Sequence, residues 1–119
     1  MKVLIYTLTC PITNDIRYVG KTDGELKTRL SAHISAPTSR LNRKWILILK
    51  GFNLKPIIEC IDITDDKNAE STEQYWIDQL RSWGYVLHNV DKYHNYVGNT
   101  PKDKLPKIAI KGFKLMNLQ

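Results

Sequence analysis

Cysteine is nearly absent: Cys10 and Cys60 are the two in 119 residues, too few for a disulfide framework. Both are expected as reduced thiols of a cytosolic protein rather than parts of a secreted one. Long apolar runs are missing too. The longest, Trp45 to Leu49, is far short of the ~20 residues a membrane helix needs, and the run in "MKVLIYTLTC" is too short for a signal peptide. There is no internal repeat, no low-complexity tract, and no helix-turn-helix or zinc-finger spacing. His88 and His94 have no ligand-like spacing to a carboxylate or a Cys pair, so neither is assigned a metal. What remains has the length of one domain, with an ordinary 42% hydrophobic and 25% charged composition.

Charge is unevenly spread. Lys plus Arg number 18 and Asp plus Glu 12, for a net of +6. Residues 1–90 hold 12 basic and 10 acidic side chains, whereas residues 91–119 hold 6 Lys against 2 Asp. A basic protein with a basic end suits a polyanion such as nucleic acid, though a solvated surface produces the same totals. The division expected is a core over 1–90 and a basic extension over 91–119, available for DNA contact.

Alternation predicts a strand over Lys2 to Thr9, a turn at "CPITND", and a return strand over Ile16 to Gly20. Asp23 or Gly24 opens a helix carrying Leu26, Leu30 and Ile34, which ends by Pro37. Ser39 caps a second helix, Arg40 to Lys50, stopped by Gly51, with Leu41, Trp45, Ile48 and Leu49 as its apolar stripe. "KPIIECIDIT" reads as a third strand. "DDKNAESTEQYWIDQLRSWG" reads as a helix with acids at its start, Arg81 in its last turn and Gly84 beyond its end. The fold class is α+β, a small three-stranded, mostly antiparallel sheet flanked by helices in the order β-β-α-α-β-α.

Several polar residues stand where a core or a cleft should be. Tyr6 and Tyr18 are opposite if the hairpin index sum is 24. A turn one residue later sets Tyr6 against Gly20 with Tyr18 on the diagonal. Either register puts both phenols on one face, as core tyrosines or as a pair in one site. Lys21 and Thr22 follow Gly20 and offer a cation and a hydroxyl to a phosphate. Arg29 and His33, four apart on the first helix, share its sheet-facing border, roughly 60° and 20° from Leu26. Arg29 is suited to a phosphate oxygen, and His33 to proton transfer or a phosphate hydrogen bond. Glu73 lies with Ala69, Trp76 and Leu80 at the centre of the third helix's apolar stripe. A carboxylate there must be paired, with Arg29 or Lys21, be protonated, or bind a cation such as Mg²⁺ or Mn²⁺. Asn89 taken alone is a turn residue.

In combination these residues resemble the GIY-YIG nuclease family over about residues 2–90. "LIY" stands at the GIY triplet and "YVG" at YIG. "KT", "TRLSAH", "KWILILKGFNLKP", "AESTEQYWIDQL" and "WGYVLHN" follow in order. Leu4 replaces the first Gly of the triplet, and no second His follows His33 nearby, as it does in some members. The resemblance implies a metal-dependent DNA endonuclease using one Mg²⁺ (or Mn²⁺) ion per site. Tyr6 would assist or activate the attacking water, Tyr18 hold it or share the proton network, and Arg29 stabilise the phosphate charge. His33 would assist by hydrogen bonding or proton transfer, Glu73 bind the metal, and Asn89 orient phosphate, water or backbone. A free phenol of pKa ~10 is a poor base, so for Tyr6 to act as a phenolate Lys21, Arg29 or the metal would have to lower its pKa. The alternative is that Tyr6 only hydrogen-bonds a metal-activated water. DNA would be gripped by Lys21, by Arg40, Arg43 and Lys44, and by Lys102, Lys104 and Lys107. The expected enzyme is a cytoplasmic monomer or weak dimer needing no membrane and no nucleotide cofactor. It nicks one strand, like small homing-endonuclease-like proteins of phages and mobile elements. A structure-specific DNA repair nuclease and a catalytically inactive DNA-binding module are the alternatives.

Overall fold

The structure, a computed structural model, describes residues 1–90. The predicted extension, with Lys102, Lys104 and Lys107, lies outside the described residues. The elements are β1 (Lys2–Thr9), β2 (Ile16–Thr22), α1 (Leu26–Ser35), α2 (Arg40–Gly51), β3 (Ile57–Asp65) and α3 (Ala69–Ser82). The sheet has the order β2-β1-β3 and both pairings are antiparallel. The predicted α+β fold and element order are both present.

The β1–β2 hairpin turns through Cys10–Asp15. Cys10 N–H donates to Asp15 O at 2.9 Å, Asn14 N–H to Cys10 O at 2.8 Å, and Asn14 takes φ 64°, a left-handed value Asn tolerates. Tyr6 pairs with Gly20 and Leu8 with Tyr18, and the register slips between Leu8 and Thr9. The later of the two registers is therefore the one formed. A second slip between Ile5 and Tyr6 leaves Ile61 unpaired in the β1–β3 ladder.

Alternation along β1 sends residues to two half-cores. Ile5, Ile16, Val19, Ile77, Leu80, Tyr85 and Leu87 cluster on the α3 side. Tyr6, Leu8, Cys10, Trp45, Ile46 and Leu49 cluster on the α1–α2 side, with Tyr18, Leu26 and Leu30 against them. Cys10 and Cys60 are both free, the first buried and the second exposed.

Three local expectations are corrected. The buried face of α2 is Asn42, Trp45, Ile46 and Leu49, a clean i, i+3, i+4, i+7 set. Leu41 and Ile48 are 53% and 57% exposed, because the face is centred on the far side of Trp45 from them. Gly51 does not stop α2 either. The stop is Asn53, at φ 61°, with Asn53 N–H on Lys50 O and Leu54 N–H on Leu49 O, the paired bonds of a left-handed helix end. On α3 the buried residues are Ala69, Ile77 and Leu80. Glu73 is half-buried, its side chain 18% exposed. The covered face is centred on Ile77 and Leu80, and Glu73 falls where it opens toward Lys21. Gly84, at φ 96°, ends α3 as expected.

Candidate active site

Gly20 is the pivot of the site. A Cβ built there would overlap the Tyr6 hydroxyl and Cζ and come within 2.9 Å of Tyr18 Cε2. The cross-strand partner of Tyr6 must therefore be glycine, because the phenol ring lies across the space a side chain would fill. Tyr6 and Tyr18 sit with ring centroids 6.4 Å apart, on one face as the alternation implied.

From α1, His33 and Arg29 meet the same phenol. His33 is 1% exposed and is the buried residue of its helix. Tyr6 Oη lies 2.6 Å from His33 Nε2, and Arg29 Nε donates to Tyr6 Oη at 3.0 Å. Directions follow from the donors available. Arg29 can only donate, so it fills one lone pair of Oη, and the phenol proton goes to His33 Nε2 in the tautomer that carries its ring proton on Nδ1. His33 Nδ1 is buried with no partner among the described residues. The His33 ring packs edge-on to Tyr18 at 5.0 Å.

Electrostatics agree with that order. Burial, reinforced by the Arg29 charge, pushes His33 down to about 4, so the imidazole is a free acceptor at neutral pH. Burial drives Tyr6 up to about 12, and the Arg29 hydrogen bond offsets only part of the rise. The lowering that a Tyr6 phenolate would need is therefore not found, because desolvation outweighs the adjacent guanidinium. Of the two readings, the hydrogen-bonding phenol is the one this supports. Tyr18 is raised for the same reason. Arg29 is held further up by Tyr6.

Glu73 approaches from α3 by the end of β2. Its Oε1 lies 3.3 Å from Lys21 Nζ, one of the pairings open to it from sequence. Its charge is felt at Tyr6, Tyr18 and Arg29. Lys21 and Arg29 line a cleft of about 460 Å³ together with Val3, Thr22, Asp23, Asp66 and Ala69. Asn89 serves the backbone, one of the three roles expected of it. Its Oδ1 accepts from Val19 N–H at 2.9 Å and its Nδ2 donates to Val19 O at 2.7 Å. Arg81 fixes Asn89 in turn through its carbonyl at 3.0 Å. The middle residue of "YVG" is thus clamped from the far end of the core. Arg40, Arg43 and Lys44 are exposed on the outer face of α2.

Sequence reading missed Asn42, which is 0% exposed. The signal was present: an amide inside the i, i+3, i+4, i+7 stripe of α2, hidden by misphasing that stripe. It also left Thr38 and His88 without roles.

The model of the GIY-YIG catalytic domain family matches residues 2–86. No curated protein and no solved structure matches the chain.

Proposed function

The chain belongs to the GIY-YIG family of metal-dependent nucleases, and from that premise we propose that it hydrolyses DNA phosphodiesters at the cleft lined by Lys21 and Arg29. The observation that carries the reading is the Tyr6 hydroxyl, held between a guanidinium that donates to it and the His33 imidazole 2.6 Å away.

The residues present fit a divalent cation. Among the described residues no cluster of three or more His, Cys, Asp or Glu could enclose a metal. A single carboxylate completed by water and phosphate is how Mg²⁺ is commonly held. Lys21 occupies Oε1 of Glu73, which leaves Oε2 as the hard oxygen ligand. When bound, one Mg²⁺ or Mn²⁺ supplies charge to the phosphate and acidifies nearby water.

The chain's own residues do the rest. Hydrolysis needs a barrier reduction on the order of 20 kcal/mol. Tyr6 Oη accepts a proton from the attacking water while its own proton passes to His33 Nε2. The oxygen–hydrogen bond of water breaks as that of Tyr6 is replaced. No free phenolate accumulates, which matters for a phenol whose pKa is about 12. The hydroxide so formed attacks phosphorus, and the departing alkoxide takes a proton from solvent. His33, whose imidazolium is strongly disfavoured by burial, returns its extra proton through Tyr6 to solvent. Arg29, with Nε committed to Tyr6, uses its remaining N–H groups on the phosphate oxygens. Lys21 and Thr22 extend the anionic subsite.

Arg40, Arg43 and Lys44, with Lys102, Lys104 and Lys107, grip the DNA backbone. A monomer with one site nicks one strand, and the cytoplasm of a host carrying a phage or mobile element suits such an enzyme. Incubating supercoiled plasmid with Mg²⁺ tests the reading. Wild type is expected to yield nicked circles, lost on chelation and in Glu73→Ala. Intact plasmid with wild type, or equal nicking by Glu73→Ala, overturns it. Preferential cutting of branched over linear duplex would instead mark a repair nuclease. Comparing salt slopes of DNA affinity for the full chain and for residues 1–90 tests the extension, since each lost phosphate contact reduces the slope by about 0.9.

A further inference from the structure

β2 is an edge strand, and residues 86–89 run beside it. Arg17 Nη1 donates to Val86 O at 3.3 Å, and His88 N–H donates to Arg17 O. Asn89 brackets Val19 N–H and O with the two ends of its amide. The same segment is tied to the start of α2. Ser39 Oγ donates to His88 O at 3.1 Å and accepts from Asn42 N–H at 3.1 Å. Asn42 Oδ1 lies 3.1 Å from His88 Nδ1, and Asn42 Nδ2 donates to Thr38 Oγ1 at 3.2 Å. The His88 ring packs edge-on against Trp45, with centroids 5.4 Å apart.

A path of direct contacts therefore runs from α2 to the Tyr6 phenol. Ser39 holds His88 by its carbonyl and Asn42 holds it by its ring. Asn89 follows His88 in the chain and brackets Val19. Gly20 follows Val19, and the Tyr6 hydroxyl lies against it where a Cβ would be. Both partners of that hydroxyl, Arg29 and His33, are on α1. Where Gly20 sits thus decides whether the phenol meets both. Stability alone does not call for this path. Asn42 is 0% exposed, and an apolar side chain there would complete the Trp45, Ile46, Leu49 stripe without desolvating an amide. A fully buried Asn is tolerable only with its bonds made.

We infer that Ser39 and Asn42 are positioning residues for the reaction. With His88 they fix the Asn89 bracket on Val19, and so set the place of Gly20 and of the Tyr6 hydroxyl. The consequence for hydrolysis rests on the nuclease reading; the hold on Val19 does not.

Three variants test it. Ser39→Gly removes the hydroxyl that reaches His88 O, and glycine is accepted at a helix start, so the fold is kept. Ser39→Thr restores the hydroxyl. Asn42→Leu removes both bonds of the buried amide at similar volume. Amide hydrogen exchange of the full-length protein, read by NMR, follows Val19 N–H, and plasmid nicking gives kcat per folded molecule and KM. Ser39→Gly and Asn42→Leu are expected to speed Val19 exchange roughly tenfold, the worth of one hydrogen bond, while the amides of α3 keep their rates. In both, kcat should fall roughly tenfold with KM within about twofold. Ser39→Thr should track wild type in both readouts. Unchanged Val19 exchange in Ser39→Gly overturns the hold, whether or not Asn42→Leu folds. Equal acceleration throughout α3 marks general loosening and overturns it too. Faster Val19 exchange with unchanged kcat overturns the positioning role. If wild type cuts no DNA while Val19 exchange moves as described, the hold stands and the nuclease reading falls.

Discussion

The two faces of the sheet are built for different ends. On the α3 side, the cluster of Ile5, Ile16, Val19, Ile77, Leu80, Tyr85 and Leu87 is almost wholly hydrocarbon. On the α1–α2 side, an equally buried cluster abuts His33 at 1% and Asn42 at 0% exposure. One face supplies cohesion and the other spends part of it on polar groups held away from water. A strand shows both at once: Ile5 faces the first and Tyr6 the second. The α3 side buries hydroxyls, Thr7 at 2% and Tyr85 at 6% exposure. The buried imidazole and carboxamide are on the α1–α2 side, and they mark where the chemistry is, because an unneeded buried dipole costs stability.

The largest expected effect tests whether the polar face has a chemical purpose. Arg29→Ala should lower nicking by at least about 10³-fold, or ~4 kcal/mol in the transition state, while thermal unfolding shifts little; the pair of measurements checks it. On the other face the pattern should invert. Leu80→Ala should cost about 2–5 kcal/mol of stability by leaving a cavity, with kcat per folded molecule unchanged, as denaturant titration and active-site normalisation would read.

The next effect is pH-dependent. His33 sits near 4 in the folded protein against ~6.5 unfolded. Between those values the unfolded chain binds the extra proton, so stability is fully present above about pH 6.5 and is lost as pH falls toward 4. The loss is up to about 3 kcal/mol, and His33→Leu should remove that slope from urea midpoints measured across the range. Gly20→Ala should cost about 1–3 kcal/mol through overpacking against Tyr6 and lose most activity by displacing that phenol; midpoint and nicking rate together check it. Smallest is the stability change in His33→Leu at pH 7. It should be within about 1 kcal/mol of neutral, since the unpartnered buried Nδ1 is removed while the buried Tyr6 hydroxyl loses its His33 partner, and nicking falls sharply. A clear drop in its melting temperature would mean that the polar face is cohesive after all.

Much of this was readable beforehand. Strand alternation placed Tyr6 and Tyr18 on one face, and helical spacing placed Arg29 and His33 on one border, because both periods are local properties of the backbone. Gly84 could be read as a helix end for the same reason. Where two local signals competed, reading failed. Leu41 and Ile48 are as apolar as the residues that replaced them on the buried face of α2, and the phase was set by an Asn that composition alone would place outside. Gly51 looked like a stop, but Asn53 supplied it.

Element order, the shared face of the phenols and the spacing of Arg29 and His33 were thus written in residues a few positions apart. Long-range packing decided the rest: which hairpin register formed, that Glu73 meets Lys21, that Asn89 clamps Val19, and that Tyr6 is pushed up rather than down. The reason is physical. Desolvation and hydrogen-bond direction depend on which groups exclude water from a site, and here those groups come from strands and helices tens of residues apart.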